Sequence, residues 1–452
     1  SILSNVRRQI LNLNLITEKR EIPPPIKIPP NQLPLPTPLP NDYTIIKNQD
    51  LENRALSILK TEYLNIFNYN GEGSSGEVAN TQTCIQVTPS TDDQAAALKA
   101  LNYFRKLAGL TYNIAENDQW KKDCQDAALI IHKIGNVPSD HVVDISKIPS
   151  TCTQGDSFFK NVVTTAAKSN LAKNSKSCYE SIRGFIKDEG ENNRLIAGHR
   201  RLLLHPLITQ VGMGYYPLVN EKIGTNLYIQ KPAVTVVRCS DDTITDTDNL
   251  PNDINFISYP PAGPFPINEL PSTWHVSYSG FRKEKLTAGI EGLKIYITRD
   301  DGIAIPFNAK IEDQQGVTKD TLTIYIDSEA MKLCQVMRTI TVRIDIDSEK
   351  KSIQYSFQLF GNDEQVDFCL FDSDSSSCPS NIPVANHISK SQFSSDNQLK
   401  SSLLNGDNVH VYVTQNVDIG AETIEIGAKR VFIQKNKITG TFKIKESSIV
   451  VI

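Results

Sequence analysis

The sequence lacks several features that mark common functional classes. It contains no run of 18 apolar residues, so no transmembrane helix is predicted. It has no glycine-rich phosphate loop, which excludes the commonest nucleotide-binding folds. The net charge of -4 gives no electrostatic reason to bind nucleic acid. The N-terminus shows no signal-peptide pattern, and we interpret the chain as a mature form.

Cysteine pairs of the Cys-x-x-Cys type are also missing, although the chain has eight cysteines. This spacing is poor for a structural zinc site and favours disulfides in an oxidising compartment, the alternative being buried free thiols in a cytosolic protein. We expect Cys369 and Cys378 to close a small loop. None of the 35 Asn residues begins an Asn-x-Ser/Thr sequon. That fits either chance in an organism without this modification or avoidance in a secreted chain.

The length of 452 residues predicts about three domains. Residues 1–80 read as a helix-compatible and proline-rich arm, in which the prolines of residues 22–40 predict extended polyproline II structure. A semi-rigid linker is the favoured interpretation, and a ligand for a proline-recognition domain is the alternative.

Residues 81–245 combine helices with later strands. Apolar spacing predicts helices at 91–110, 118–134 and 177–187, and strands at 210–216, 226–230 and 233–238. Helices that precede strands in this way favour an α/β or α+β sandwich over a Rossmann sheet.

The rest of the chain reads as β-rich. Residues 246–362 show short alternating segments divided by turns, typical of an antiparallel β-sandwich with almost no helix. Residues 363–452 alternate again, with strands about seven to ten residues apart, and fit a meander, a fragment of β-solenoid or an ordinary small sheet. The predicted fold class is therefore multidomain α+β.

Two histidines flanked by polar residues are candidates for chemistry, His141 in PSDHVVD and His199 in AGHRRLLLHP. Together with Asp188, at the end of the third predicted helix, they would form a cleft that holds a divalent metal or performs acid/base work. The simpler alternative is that each histidine only makes local hydrogen bonds. His132 and His205 lie among Leu and Ile, and we expect them to pack in the core.

Four segments resemble the CAP superfamily (cysteine-rich secretory proteins, antigen 5 and pathogenesis-related proteins), especially its bacterial-type, SCP-like branch. They occur in the expected order at residues 101–110, 121–141, 152–172 and 182–216. The resemblance implies an α-β-α sandwich, secretion, and a cleft with two histidines and two acidic residues. The stretch ISYPPAGPFPINELPSTWHVSYSG is similar to the segment that opens a β-rich module after some bacterial-type CAP domains.

The resemblance also assigns the candidate site residues. His141 and His199 match the two histidines, and Asp188 falls where the family's helix carries a glutamate. At the remaining acidic position this chain has Ser169, which removes a metal ligand or base and makes tight binding of a divalent metal less expected. We expect Arg200 or Arg201 to pair with a carboxylate such as Asp188.

Three functions follow as hypotheses. The favoured one is a secreted or cell-surface, non-enzymatic CAP-type protein that binds a small apolar ligand or a protein partner. The second is a structural or adhesive subunit that assembles outside the cell through the proline-rich arm or the C-terminal strands. The third is a hydrolase with His141 or His199 as base and Ser169 as nucleophile, which needs a hydroxyl within about 3 Å of a histidine.

Overall fold

The computed structural model describes two compact units, residues 1–360 and 361–452. Its described residues are 36–73, 84–189, 196–222, 228–239, 254–281, 289–312, 321–336, 338–361, 365–370, 384–385, 397–405, 408–413, 417–427, 430–435, 438–444 and 449–451. Helices and several sheets occur together, which confirms a mixed α+β protein. The domain limits drawn from the sequence stay predictions, and most of the proline-rich segment lies outside the described residues.

The described chain begins with a short strand and two helices, β1 (Thr44–Ile46), α1 (Gln49–Glu52) and α2 (Leu56–Ile66). Leu59 and Tyr63 of α2 are buried in the main hydrophobic core. Between the two helices, Arg54 donates hydrogen bonds to the carbonyls of Leu107 and Ala262, both at 2.8 Å. These contacts fix the segment to the elements that follow.

Five helices come next, α3 (Thr91–Leu107), α4 (Asp118–Ile134), α5 (Asp156–Ala167), α6 (Cys178–Lys187) and α7 (Gly198–Leu203). The three predicted from apolar spacing are α3, α4 and α6. Each of these begins at a side chain that accepts from the first turn: Ser90, Asn117 and Ser177 respectively.

A four-stranded sheet packs among these helices in the order β2-β4-β7-β3. Its strands are β2 (Ala115–Glu116), β3 (Ser169–Lys173), β4 (Gln210–Tyr216) and β7 (Val234–Arg238), and β5 (Val219–Lys222) pairs separately with β6 (Tyr228–Lys231). Met213 of β4 belongs to one hydrophobic cluster and Tyr216 to the other. Both faces of β4 are therefore packed.

Two further sheets complete the first unit. One has the order β12-β13-β10-β8, and the other has β1-β15-β14-β11 with β9 also paired to β15. Their strands are β8 (Ile257–Tyr259), β9 (Gly263–Pro266), β10 (Thr273–Ser277), β11 (Leu293–Arg299), β12 (Asn308–Glu312), β13 (Thr321–Tyr325), β14 (Thr339–Ile346) and β15 (Lys351–Phe360).

Most pairs in these two sheets are antiparallel, as the sequence predicted, but β1 and β9 pair parallel to β15. Among the described residues here, the α-helix content is one turn, α8 (Ser328–Met331). Trp274 is fully buried, 5.3 Å from the ring of Phe357. One cluster of buried side chains runs from α2 and α3 to β14 and β15, so the β-rich part shares its core with the helical part.

The described residues of the second unit form one helix, α9 (Asn397–Asn405), and seven strands. The strands are β16 (Gln365–Leu370), β17 (Val384–Ala385), β18 (Asn408–Val413), β19 (Val417–Ile426), β20 (Arg430–Lys435), β21 (Ile438–Ile444) and β22 (Ile449–Val451). All described pairs are parallel, in the orders β17-β16-β18-β20-β22 and β19-β21.

From β18 to β22 the chain alternates between these two parallel sheets. A meander joins neighbouring strands as antiparallel pairs, whereas a coil that returns to the same sheet pairs in parallel. Of the arrangements considered from the sequence, the described pairing is that of a β-solenoid.

The cysteines only partly follow the expectation of disulfides. Cys84 and Cys152 form one disulfide. Four cysteines are buried free thiols, namely Cys124, Cys178, Cys239 and Cys334. For these four the disulfide interpretation is wrong, because each thiol is enclosed in packed core. The proposed Cys369 to Cys378 pair lies outside the described residues, since residue 378 is not described.

No helix in the described part of the chain is long and apolar enough to cross a membrane.

Candidate functional site

The structure brings Asp188 and His199 together at the end of α6. Asp188 Oδ1 lies 2.9 Å from His199 Nδ1, and Asp188 Oδ2 accepts a hydrogen bond from the backbone N–H of Arg200 at 3.3 Å. Asp188 therefore holds the imidazole and also satisfies an N–H in the first turn of α7. The residue before α7, Ala197, makes no side-chain cap, so the cap comes from elsewhere in the chain.

His141 lies beside this pair. Its Nδ1 is 3.4 Å from the carbonyl oxygen of Ala166, in the last turn of α5. Burial, and next the charge of the neighbouring His199, lower the pKa of His141 below its ordinary value, although the carbonyl of Ala166 opposes this. The lowered pKa favours the neutral form of the His141 ring, and its Nδ1 faces a backbone oxygen.

Three residues of the site have a left-handed backbone. The φ angles are 60° at His141, 50° at Asp188 and 52° at Ala197. A non-glycine residue in this region costs on the order of 1–3 kcal/mol and persists only where the surrounding structure holds it. Of the five described non-glycine residues with positive φ, three lie at this one site, so the fold maintains the arrangement at a cost in stability.

Two further side chains contact His199. The sequence did not predict either contact. The ring of Phe185 lies 4.9 Å from the His199 ring between centroids. The amide Nδ2 of Asn170 donates to the backbone carbonyl of His199 at 3.0 Å. Phe185 lies within the helix predicted at 177–187, and Asn170 follows Ser169 directly. No sequence signal short of the fold connects either residue to His199.

Of the two arginines expected to pair with a carboxylate, Arg200 does not do so through its side chain, and for Arg201 the expectation stays a prediction. Its guanidinium is fully buried and donates to the carbonyl oxygens of Lys187 and Thr273, each at 2.7 Å, and to that of Ile186. The charge of Asp188 is near Arg200, but the bond between the two residues comes from the Arg200 backbone. Helix-end carbonyls replace the carboxylate because α6 ends beside Arg200.

Ser169 is buried, and its hydroxyl is not placed for catalysis. Its hydroxyl donates to the carbonyl oxygen of Thr165 at 2.6 Å. A hydroxyl that donates its proton to a backbone oxygen is not activated by a histidine base. The geometry therefore does not support Ser169 as a nucleophile.

The candidate site also offers too few ligands for a bound metal ion. Within the described ranges, no group of three or more His, Cys, Asp or Glu side chains is placed to hold an ion. His141 and His199 supply two imidazoles, while the Asp188 carboxylate already accepts from His199 and Arg200. Zinc sites in proteins use three or four protein ligands. The residues present do not fit a tightly held divalent metal.

His132 and His205 are both buried, as the sequence predicted. They lie outside the site.

Comparison of the sequence with models of known protein families finds no match, and comparison with curated proteins finds none either.

Proposed function

We propose that this chain is a secreted or cell-surface CAP-type protein whose cleft, formed by His141, Asp188 and His199, binds a ligand without chemical turnover. The observation that carries the proposal is the bond between His199 Nδ1 and Asp188 Oδ1, with His141 alongside in a strained backbone. Both imidazoles have Nδ1 directed at an oxygen acceptor, which orients the rings as fixed polar contacts.

The placement of Ser169 supports binding over hydrolysis. The Ser169 hydroxyl is committed to Thr165, and the second acidic position of the family pattern holds this same serine. The Cys84–Cys152 disulfide supports an oxidising location, because disulfides of this kind persist mainly outside the cytosol.

The ligand we expect is a small amphiphile with a polar group at the histidines. Two exposed apolar side chains follow His141 in the same loop, Val142 at 36% and Ile145 at 50% exposure. Ligand sites combine an apolar lining with a few placed polar groups, and we propose that these two side chains supply the apolar part here. An apolar tail would cover these two side chains.

Laurate is a suitable probe, and its binding to the full chain is measured by calorimetry. We expect His199→Gln and Ile145→Asp each to weaken binding about tenfold, equivalent to about 1.4 kcal/mol. Ile303→Asp is the matched control, since Ile303 is also an exposed isoleucine in a loop, at 39% exposure, in the β-rich part. It should bind laurate as the parent does.

The same samples test the enzymatic alternative. We expect no hydrolysis of p-nitrophenyl laurate above the buffer rate. Saturable turnover that disappears in His199→Gln would refute the non-enzymatic proposal. Equal laurate affinity in the parent, His199→Gln and Ile145→Asp would refute the cleft as the binding site.

One observation favours the structural or adhesive alternative as a second function. The second unit pairs its described strands in parallel, and β22 is at the edge of the described sheet, a position to which another strand can be added. Self-assembly would then use the C-terminal strands. Light scattering across a concentration series would show oligomers, and a monomer at all concentrations would remove this alternative.

A further inference from the structure

The back of the candidate site is built by the β-rich part of the first unit. Arg200 follows His199 directly but points the other way, into the core. Its guanidinium meets the carbonyl of Thr273 at 2.7 Å and lies 4.9 Å above the ring of Tyr259. Its Nη1 is also 3.4 Å from Nδ1 of His275. Tyr259 is on β8, and the other two residues are on β10.

The guanidinium of Arg200 also caps the C-terminal end of α6. Lys187 and Ile186, the last two residues of that helix, offer carbonyls that no further turn of helix satisfies, and Arg200 donates to both. The next residue is Asp188, whose carboxylate accepts from the Arg200 backbone and from His199. The placement of Arg200 therefore sets the position of the carboxylate that holds the imidazole.

A second contact connects the same turn with β10. The backbone N–H of Ser272 donates to Glu189 Oε1 at 3.2 Å, and Ser272 immediately precedes the strand. Asp188 thus lies between two connections to the start of β10, one through Arg200 and Thr273 and the other through Glu189 and Ser272.

Burial makes these partners important to Arg200. The guanidinium is inaccessible to water, so each contact it loses leaves a buried charge less well compensated. Tyr259 supplies an aromatic face, which attracts a desolvated cation. His275, also fully buried, has a pKa far below its ordinary value because of burial and then the charges of Arg200 and Arg201, so it is a neutral neighbour.

We infer that Arg200 is a positioning residue through which Tyr259 and β10 set the geometry of His199 and Asp188, so that binding at the cleft is coupled to packing of the β-rich part. The consequence for affinity rests on the proposed ligand-binding function. The consequence for the His199–Asp188 bond does not.

The direct test observes the imidazole proton of His199. In the full chain labelled with ¹⁵N-histidine, the Nδ1–H signal reports the bond to Asp188, and His199→Gln assigns it. Tyr259→Leu removes the aromatic face under Arg200 without touching a cleft residue. We expect this proton to exchange with water at least about tenfold faster, and laurate affinity to fall about five- to tenfold.

Two controls separate this coupling from general damage. Tyr355→Leu makes the same substitution at a tyrosine of β15 that is equally buried and packs against Phe256, away from Arg200. It should keep the parent exchange rate. Tyr259→Phe keeps the aromatic face and should restore parent behaviour.

If Tyr259→Leu does not fold, Glu189→Ala is the second variant, because Glu189 is exposed and its loss removes both the Ser272 contact and a negative charge that acts on Arg200. Faster exchange of the His199 proton in that variant supports the coupling, and unchanged exchange refutes it. Equal exchange in Tyr259→Leu and Tyr355→Leu also refutes it. If the parent fails to bind laurate, the proposed ligand is wrong, while the exchange rates still decide whether Arg200 positions the site.

Discussion

His132 lies in α4 with its side chain fully enclosed. Its Nδ1 is 2.8 Å from the carbonyl oxygen of Pro232, and its ring packs on Tyr216 with 4.2 Å between centroids. Its Nε2 is buried without a hydrogen-bond partner. Burial lowers the pKa of His132 from 6.5 to about 4. A second proton on this ring would have no acceptor, so acid favours the unfolded chain.

The loss of stability in acid can be calculated from the ordinary pKa of histidine, 6.5, and the pKa of His132 in the folded chain, about 4. Between pH 6.5 and about pH 4 the unfolded chain binds more protons at this position than the folded chain does. The stability contribution is therefore complete above pH 6.5 and is lost as the pH falls towards 4. From pH 7 to pH 5 the loss amounts to about 2 kcal/mol for this one residue. His132→Phe fills a similar volume and removes the titration.

Urea unfolding at several pH values measures this difference. The chain has two tryptophans, Trp120 and Trp274, both in the first unit, so their fluorescence reports on that unit. At pH 7 the variant should be about 1 kcal/mol less stable, because the carbonyl of Pro232 loses its donor. Between pH 7 and pH 5 the parent should lose about 2 kcal/mol more than the variant. If the free energy of unfolding fell by the same amount in the parent and in His132→Phe between pH 7 and pH 5, the assignment of this loss to His132 would be refuted.

Three other changes should shift the same unfolding transition. Gly214→Ala should cost about 3 kcal/mol or more, because its Cβ would lie 2.3 Å from the backbone of Cys124 in α4; a stable variant would contradict this packing. Gly184→Ala, at an exposed position of α6 where a Cβ meets nothing within 4 Å, should instead add about 0.5–1 kcal/mol. Replacing Cys84 and Cys152 by serine should cost about 2–4 kcal/mol, since their disulfide closes a long loop; an unchanged midpoint would show that it contributes nothing.

Regular apolar stripes explain which helices the sequence predicted. α3 and α6 bury mainly one side, and α4 is buried on all sides from Asp123 to Lys133. All three carry their own N-terminal caps, so local rules specify where they begin. α7 has six residues and no cap of its own, and its N-terminal partner is Asp188. Whether α7 forms therefore depends on tertiary contacts, and no local sequence pattern shows those contacts.

The C-terminal strands illustrate a second limit. Alternation of apolar and polar residues has a period of two in parallel and antiparallel strands alike. It predicted strands in the second unit, but the choice between a meander and a solenoid depends on which strands pair. That choice is made by long-range register, such as Asn408 with Arg430, and spacing alone did not reveal it.

The sequence indicated which residues of the candidate site lie near one another but not the bonds that they make. His141, Asp188 and His199 were identified from the sequence, and the structure brings them together. The role of Ser169 was not predictable, because a serine at the start of a strand that follows a helix can face a cleft or bond to that helix. Here its hydroxyl reaches Thr165, four residues earlier.

The position of His199 depends on both ends of α7. A helix of six residues is too short to be stable alone, so its ends must be satisfied by other elements. Asp188 does so at the N-terminal end. At the other end, the buried Arg105 of α3 donates to the carbonyls of Leu203 at 2.8 Å and His205 at 2.9 Å. An acidic group at the start and a basic group at the end both complement the helix dipole. Since Asp188 follows α6 and Arg105 lies on α3, the orientation of the histidine depends on how these helices pack together.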